Sequence, residues 1–77
     1  MSVTVKYFAS LRERHGAERH LDGALEGTTV ADVWVRAGGG EALPADVLMA
    51  VNLEYVNADH PVRDGDEVAF FPPVTGG

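Results

Sequence analysis

The sequence ends on the run "FFPPVTGG", in which two prolines precede a pair of glycines, Gly76 and Gly77. Glycine has no Cβ and takes a wide range of φ/ψ values, so a diglycine end can enter a channel that any side chain would block. Pro72 and Pro73 have fixed φ angles and favour an extended, stiff approach to that end. A terminal carboxylate on Gly77 has a reference pKa of about 3.3 to 3.7 and is ionised at neutral pH. The pattern predicts that residues 72–77 form a flexible C-terminal tail whose tip carries a reactive group.

The chemistry open to Gly77 is activation of its carboxylate. A carboxylate resists nucleophilic attack, but ATP can convert it to an acyl-adenylate, and a sulfur donor can then convert the adenylate to a thiocarboxylate that delivers sulfur elsewhere. The chain has no phosphate-binding loop of its own, because Gly38 to Gly40 follow a predicted helix and no Gly-Lys-Ser/Thr motif is present. We therefore expect a partner enzyme to use the ATP, and we expect this chain to bind no cofactor.

Composition limits the other classes of function. The 77 residues include no cysteine, which excludes a disulfide framework, a thiolate metal site and a cysteine nucleophile. The formal net charge of -6 is opposite to the charge that nucleic-acid binding requires, and it favours either simple solubility or docking on a basic surface. No stretch is apolar enough to span a bilayer, and the first residues lack the features of a signal peptide. We expect a single cytoplasmic domain, residues 1–77, that binds neither nucleic acid nor membrane.

Hydrophobic patterning predicts the helices and strands that position the tail. The main helix is predicted within "GTTVADVWVRAGGG", where Thr28 or Thr29 can form the N-cap and Asp32 lies in the first turn. Its apolar stripe makes Trp34 a core residue. A sheet with one main helix on its face is an α+β fold. In order, we expect a strand at 3–8, a short helix at 10–15 ended by Gly16, a weak strand at 18–25, the main helix, a strand at 47–52 buried on both faces, a short strand at 53–56 and a last strand at 67–71.

Two phenylalanines break the alternation of the first and last strands. Phe8 shares a strand face with Thr4 and Lys6, the face that should meet water, and Phe71 falls on the outward face of the last strand. Both lie at the C-terminal ends of their strands, so their rings meet at one sheet edge if the two strands pair in parallel. An exposed aromatic pair beside the tail predicts a partner-binding patch. The alternative is that the loop near Tyr55 or the short helix covers both rings.

Other groups of polar residues have structural explanations that we favour. His15 and His20 are predicted to lie on the surface. No segment resembles the nucleophile elbow of a hydrolase. The acidic residues around His60 lack the spacing of a calcium loop, and we interpret them as turn residues instead of metal ligands. These acidic residues are Asp59, Asp64, Asp66 and Glu67.

The segment "AVNLEYVNADHPVRDGDEVAFFPPVTGG" resembles the small subunit of molybdopterin synthase, the MoaD family of ubiquitin-like sulfur carriers. The opening "VKYFASLRERHG" is similar to the first strand and helix of that family, and the two segments together cover more than half of the chain. The related thiamine-pathway carriers, the ThiS group, also end in Gly-Gly but usually lack the "FFPPV" approach. The resemblance implies a β-grasp fold, with a mixed sheet of four to five strands packed on one main helix.

The resemblance also implies a mechanism and a set of partners. An E1-like adenylyltransferase would use ATP to adenylate the carboxylate of Gly77, and a sulfurtransferase system would replace an oxygen with sulfur. The tail would then enter the large subunit of a heterotetrameric synthase, where the thiocarboxylate gives its sulfur to cyclic pyranopterin monophosphate and forms the dithiolene of molybdopterin. Gly76 and Gly77 would be the reactive end. The positions that the resemblance places against the large subunit are Phe8, Arg12, Tyr55, Phe71, Pro72, Pro73, Val74 and Thr75.

Two alternatives stay open at this point. A carrier of the same fold could feed another sulfur acceptor, such as thiazole, cysteine or tRNA. The chain could instead be a β-grasp interaction module or a ubiquitin-like modifier, whose tail is inert or conjugated to lysines.

Overall fold

The structure, a computed structural model, describes residues 2–23, 28–38 and 40–73. Five strands and two helices follow one another in these ranges. Within them, no helix combines the length and the apolar character needed to cross a membrane. The elements are β1 (Ser2–Tyr7), α1 (Ala9–His15), β2 (Glu18–Asp22), α2 (Val30–Ala37), β3 (Leu48–Val51), β4 (Glu54–Tyr55) and β5 (Glu67–Phe71).

The five strands form one mixed sheet in the order β2-β1-β5-β3-β4. The first and last strands, β1 and β5, lie side by side in parallel, whereas the other three neighbouring pairs are antiparallel. Parallel neighbours need a long connection, and here both helices and the β3–β4 hairpin lie in that connection. The arrangement confirms the predicted α+β, β-grasp architecture.

One face of the sheet packs against the helices and forms the core. Tyr7 and Phe70 are the largest side chains that are fully buried. Trp34 of α2 is 3% exposed and meets Phe70 edge-on, with ring centroids 4.9 Å apart. Its predicted place in the core is therefore confirmed. The strands and α2 contribute the following residues to the core cluster: Val3, Val5, Tyr7, Val30, Val33, Trp34, Ala37, Val51, Val68 and Phe70.

Polar contacts fix both ends of α2. Of the two predicted N-caps, Thr29 forms the cap: its Oγ1 accepts a hydrogen bond from the Asp32 amide at 3.2 Å, and Asp32 Oδ2 accepts from the Thr29 amide at 3.0 Å. The backbone hydrogen bond from Thr29, followed by that from its hydroxyl, lowers the pKa of the Asp32 carboxyl. At the other end, Arg19 of β2 donates to the backbone oxygens of His15 and Ala37. This cation thus lies at the C-terminal ends of both helices, where it opposes their dipoles.

The strands differ from the prediction in several details. β1 ends at Tyr7, because Phe8 is the extended N-cap of α1. β3 is not buried on both faces as predicted, since Leu48 is 38% exposed. The physical reason is that both helices pack on the inner face, so that none of the described elements covers Leu48 on the outer face. The described part of the second strand ends at Asp22, and its predicted last residues, 24–25, lie outside the described ranges.

His15 is not the surface residue that the sequence predicts. Its ring stacks on Tyr7 with centroids 4.9 Å apart and meets Trp34 edge-on at 5.2 Å. The last turn of α1 lies over the end of the core, where two aromatic faces offer His15 more contact than water does. His20 is exposed as predicted, with Nε2 3.3 Å from Glu18 Oε2.

Candidate docking surface

Phe8 and Phe71 meet at the end of the parallel β1–β5 pair. The register places Tyr7 beside Phe70, and the Phe8 amide donates to the Phe70 carbonyl oxygen at 3.2 Å. Phe8 and Phe71, which follow these two residues in the sequence, therefore lie side by side. The two rings stack with centroids 4.7 Å apart and an interplanar angle of 11°. The predicted meeting of these rings at one end of the sheet is confirmed.

The stacked pair remains accessible on the outer face of the sheet. Phe8 is 40% exposed and Phe71 is half-buried. Tyr55 of β4 lies near Phe71, with ring centroids 6.1 Å apart, but is itself 74% exposed. Tyr55 and α1 thus leave the pair accessible, contrary to the alternative in which they cover it. We call Phe8, Tyr55 and Phe71 the aromatic patch.

A tight turn between β1 and α1 sets the position of Phe8. Ala9 has a φ of 52°, in the left-handed region that L residues rarely adopt. The Phe8 carbonyl oxygen accepts hydrogen bonds from the amides of Leu11 and Arg12 at 3.1 and 3.4 Å. Arg12 is exposed, and its guanidinium makes no hydrogen bond or ion pair with the part of the chain that the structure describes. A cation one helical turn from the aromatic patch is therefore available to a partner.

The aromatic patch leads directly into the predicted tail. Pro72 is half-buried and Pro73 is exposed, immediately after Phe71 at the end of β5. The other four predicted tail residues lie outside the described ranges: Val74, Thr75, Gly76 and Gly77.

A polar pair borders the aromatic patch on the same face of the sheet. Lys6 Nζ of β1 lies 3.5 Å from Glu67 Oε1 of β5, and both side chains are partly exposed. Ala69 separates Glu67 from Phe71 along the outer face of β5, and it pairs with Ala50 of β3. Both alanines are small and buried, so β3 and β5 place no large side chain between the ion pair and the rings. The outer face thus changes from charged to apolar in the direction of the tail.

The acidic residues before β5 have structural partners. Asp64 Oδ1 accepts a hydrogen bond from the Ser2 amide at 2.7 Å. Asp66 accepts from the Arg63 amide at 2.8 Å and from Asn52 Nδ2 at 2.9 Å. These bonds hold the turn that precedes β5, as the turn interpretation predicts. In the ranges 2–23, 28–38 and 40–73, no group of three or more His, Asp or Glu side chains is placed to hold a metal ion.

Leu48 is a residue of this surface that sequence reasoning missed. In the β3–β5 register it pairs with Phe71, so it lies beside the aromatic patch on the outer face. The apolar run "VLMAV" predicts a strand buried on both faces, and nothing in its period shows which neighbour stands opposite. A sequence signal for Leu48 exists in Phe71, which is predicted to face outward. An exposed ring favours an apolar side chain at the neighbouring position of the paired strand.

Comparison with known proteins gives concordant matches. The ThiS family matches residues 5–77 of the chain. The molybdopterin synthase sulfur carrier subunit of Escherichia coli (strain K12) is 40% identical over 85 residues, which cover 97% of this chain and 99% of that protein.

Solved structures are similar along nearly the whole chain. The small archaeal modifier protein 1 of H. volcanii is 28% identical, with a TM-score of 0.74 and coverage of 95% of this chain and 98% of that chain. A chain of the BexX/CysO complex of Amycolatopsis orientalis is 30% identical, with a TM-score of 0.62 and coverage of 97% and 99%. These similarities agree with the mixed sheet and the order of elements described above.

Proposed function

The chain belongs to the ThiS family, and from this premise we propose that it is the sulfur carrier subunit of a molybdopterin synthase, like its relative in E. coli. In this role an activating enzyme joins the carboxylate of Gly77 to the α-phosphate of ATP, which gives an acyl-adenylate and releases pyrophosphate. A sulfur donor then displaces AMP and leaves a thiocarboxylate on Gly77. The thiocarboxylate gives its sulfur to cyclic pyranopterin monophosphate, and two such transfers build the dithiolene of molybdopterin.

The observation that carries the proposal is the position of the aromatic patch. The parallel pairing of β1 with β5 brings Phe8 against Phe71, and Phe71 is followed at once by Pro72 and Pro73. A partner that takes the tail into its active site therefore meets an accessible aromatic surface at the base of that tail. Aromatic residues are frequent energetic anchors of protein interfaces, so this placement suits a subunit that must dock before its terminus reacts.

Each proposed site residue has a role in this mechanism. Phe8, Tyr55 and Phe71 supply the apolar docking surface. Arg12, whose guanidinium is free of partners among the described residues, supplies a cation for an acidic group of the partner. The reactive end consists of Gly76 and Gly77. The residues proposed to line the entry into the partner are Pro72, Pro73, Val74 and Thr75.

The partners follow from the same chemistry. The large subunit of the synthase accepts the tail, an E1-like enzyme supplies the adenylation site, and a sulfurtransferase system supplies the sulfur. The relative in Amycolatopsis orientalis forms a complex named for two proteins, BexX and CysO, which supports a partner subunit for this chain. We propose the cytoplasm as the location, since each cycle uses ATP.

Deletion of Gly77 is the direct test. We expect the truncated chain to form no thiocarboxylate and to transfer no sulfur, while its melting temperature and its docking on the large subunit stay close to those of the full chain. Intact mass spectrometry after incubation with the activating enzyme, ATP and a sulfur source detects the exchange of one oxygen for sulfur. The full chain without ATP is the matched control. Sulfur transfer at the normal rate by the truncated chain would refute the mechanism.

A ubiquitin-like modifier is the second candidate function. The observation in its favour is the similarity to the small archaeal modifier protein 1 of H. volcanii. Adenylation of Gly77 is common to both functions, but a modifier passes the activated carboxyl to an amine, whereas a carrier passes it to sulfur. The same mass measurement separates them, because conjugates to lysine amines identify the modifier and a thiocarboxylate identifies the carrier.

A further inference from the structure

The aromatic patch is continuous with a second apolar feature that lies further from β1. Phe71 stands between Phe8 on one side and Leu48 on the other, because β5 pairs with both β1 and β3. Leu48 is 38% exposed, close to the 40% of Phe8. An exposed apolar row thus crosses three strands at the end of the sheet where the tail begins.

Beyond Leu48 the surface opens into a recess of about 410 Å³. Leu48 and Tyr55 form the side of this recess that adjoins the aromatic patch. Met49 and Val56, which are partly buried against the core, and Ala58 contribute to its walls. The remaining lining residues are Ala45, Val47 and Asn57. Since these side chains are almost all apolar, the recess suits an apolar side chain better than a charged group.

The length of the tail indicates which protein covers this surface. Gly77 is the sixth residue after Phe71, and six residues of extended chain span at most about 20 Å. A subunit that encloses the carboxylate of Gly77, as the proposed function requires, therefore binds within this distance of Phe71 and Leu48.

The size of a stable interface indicates that the docking surface extends beyond the aromatic patch. A stable complex buries roughly 800 Å² on each partner, whereas a fully buried aromatic side chain contributes only about 150 to 250 Å². The three partly exposed rings of the aromatic patch are thus too small for a lasting subunit contact. The row through Leu48 and the recess beyond it supply further apolar surface next to the patch.

We propose that the subunit which accepts sulfur from Gly77 docks across Leu48 and places an apolar side chain in the recess between β3, β4 and residues 56–58. This inference rests on the proposed function and adds a binding subsite to it. Leu48 then acts as an anchor of the interface, on the side of Phe71 opposite Phe8.

Two leucines of the β3–β4 hairpin provide a matched test. Leu48 lies beside Phe71, whereas Leu53 lies in the turn at the far end of the hairpin and is 91% exposed. Leu48→Ala should weaken binding to the purified large subunit about tenfold, the usual scale for loss of an interface anchor. Leu53→Ala should keep the wild-type affinity. Isothermal titration calorimetry gives both dissociation constants, and circular dichroism confirms that each variant is folded.

A second variant tests the recess by filling it. Ala58→Leu adds apolar volume to its wall, so it should weaken binding although it makes the surface more hydrophobic.

Wild-type affinity in both Leu48→Ala and Ala58→Leu would overturn the inference. If thiocarboxylate still forms on Gly77 in those variants, the proposed function survives that result. Failure of the wild-type chain to form a thiocarboxylate removes the proposed function and this inference with it. Self-association of the free chain that is lost in Leu48→Ala would assign the surface to a second copy and contradict the inference.

Discussion

Tyr7 and Phe70 point into the core, while their chain neighbours Phe8 and Phe71 point away from it, although the same two strand ends carry all four rings. The inner rings are 1% and 0% exposed. The outer rings stack on each other and remain accessible. The two pairs form separate groups: the inner one packs with Trp34, and the outer one borders solvent.

The difference between the two pairs arises from the pleat of the sheet. Successive residues of a strand face opposite sides, so a single step along the chain moves a ring from the core to the surface. Parallel pairing of β1 with β5 then brings both outer rings together, as it does both inner rings. Burial of the inner pair stabilises the fold, and the outer pair is available for binding because it remains accessible.

The largest expected difference is between Phe70→Ala and Phe71→Ala. Phe70→Ala leaves a cavity in the core and should cost about 3 to 5 kcal/mol, a large share of the roughly 4 to 12 kcal/mol expected for a chain of this length. Phe71→Ala removes a half-buried ring and should cost about 1 kcal/mol. Urea denaturation measures both losses.

Partner binding should show the reverse order. Phe71→Ala should weaken binding to the large subunit about tenfold or more, whereas Phe70→Ala, measured at a temperature where circular dichroism shows it folded, should bind as the wild type does. Equal losses of stability in the two variants would mean that the distinction between inner and outer rings is wrong.

Most of this distinction is predictable from the sequence. The alternation in "VTVKYF" and "EVAFF" fixes which rings face outward, and "TTVADVW" contains the cap and the apolar stripe of α2. These features are local, so they depend on nothing beyond a few neighbouring residues. The boundaries of β5, at Glu67 and Phe71, follow from the charged residue and the prolines that flank it.

The residues that were mispredicted depend on contacts between distant segments. His15 has the polarity of a surface residue, and only the packing of α1 over Tyr7 and Trp34 draws it inward. Leu48 has the polarity of a core residue, and only the lack of a covering layer leaves it exposed. Val62 is buried from an irregular segment that has no period to reveal it. A single sequence contains no local signal for such long-range packing.

The buried hydroxyl of Tyr7 should make the stability of the fold depend on alkaline pH. Burial raises the pKa of Tyr7, and the positive charge of Arg19 offsets this only in part. Because the pKa of Tyr7 is higher in the folded state, the contribution of its protonated hydroxyl to stability is present below the pKa of the unfolded chain, near 10. That contribution is lost as pH rises through the higher pKa of the folded state. The Tyr7 hydroxyl also has no hydrogen-bond partner among the described residues.

Tyr7→Phe should therefore keep or slightly raise stability at pH 7, by up to about 1 kcal/mol, since it removes a buried polar group without a partner. It should also reduce the fall in stability above pH 10. Tyr55→Phe removes a hydroxyl from an exposed side chain on the outer face and is the matched control, for which we expect the wild-type stability at pH 7. Urea denaturation between pH 7 and 11 distinguishes the two. An unchanged alkaline profile in Tyr7→Phe would show that another group controls the transition.

The smallest expected effect is at the start of α2, the helix that buries Trp34 against the inner rings. Hydrogen bonds from Thr29 lower the pKa of Asp32 in the folded state. The contribution of Asp32 to folding stability is therefore present above its unfolded pKa of 3.8, and it is lost as pH falls through the lower pKa of the folded state. Asp32→Asn should lower the melting temperature slightly at pH 7 and should reduce the loss on acidification to pH 2. Asp46→Asn changes an exposed carboxylate outside the helix and should behave as the wild type does. The cap supports the inner group of rings alone, so Asp32→Asn should leave the affinity for the large subunit unchanged at neutral pH. A weakened complex would show that the inner and outer groups of rings are coupled through the sheet.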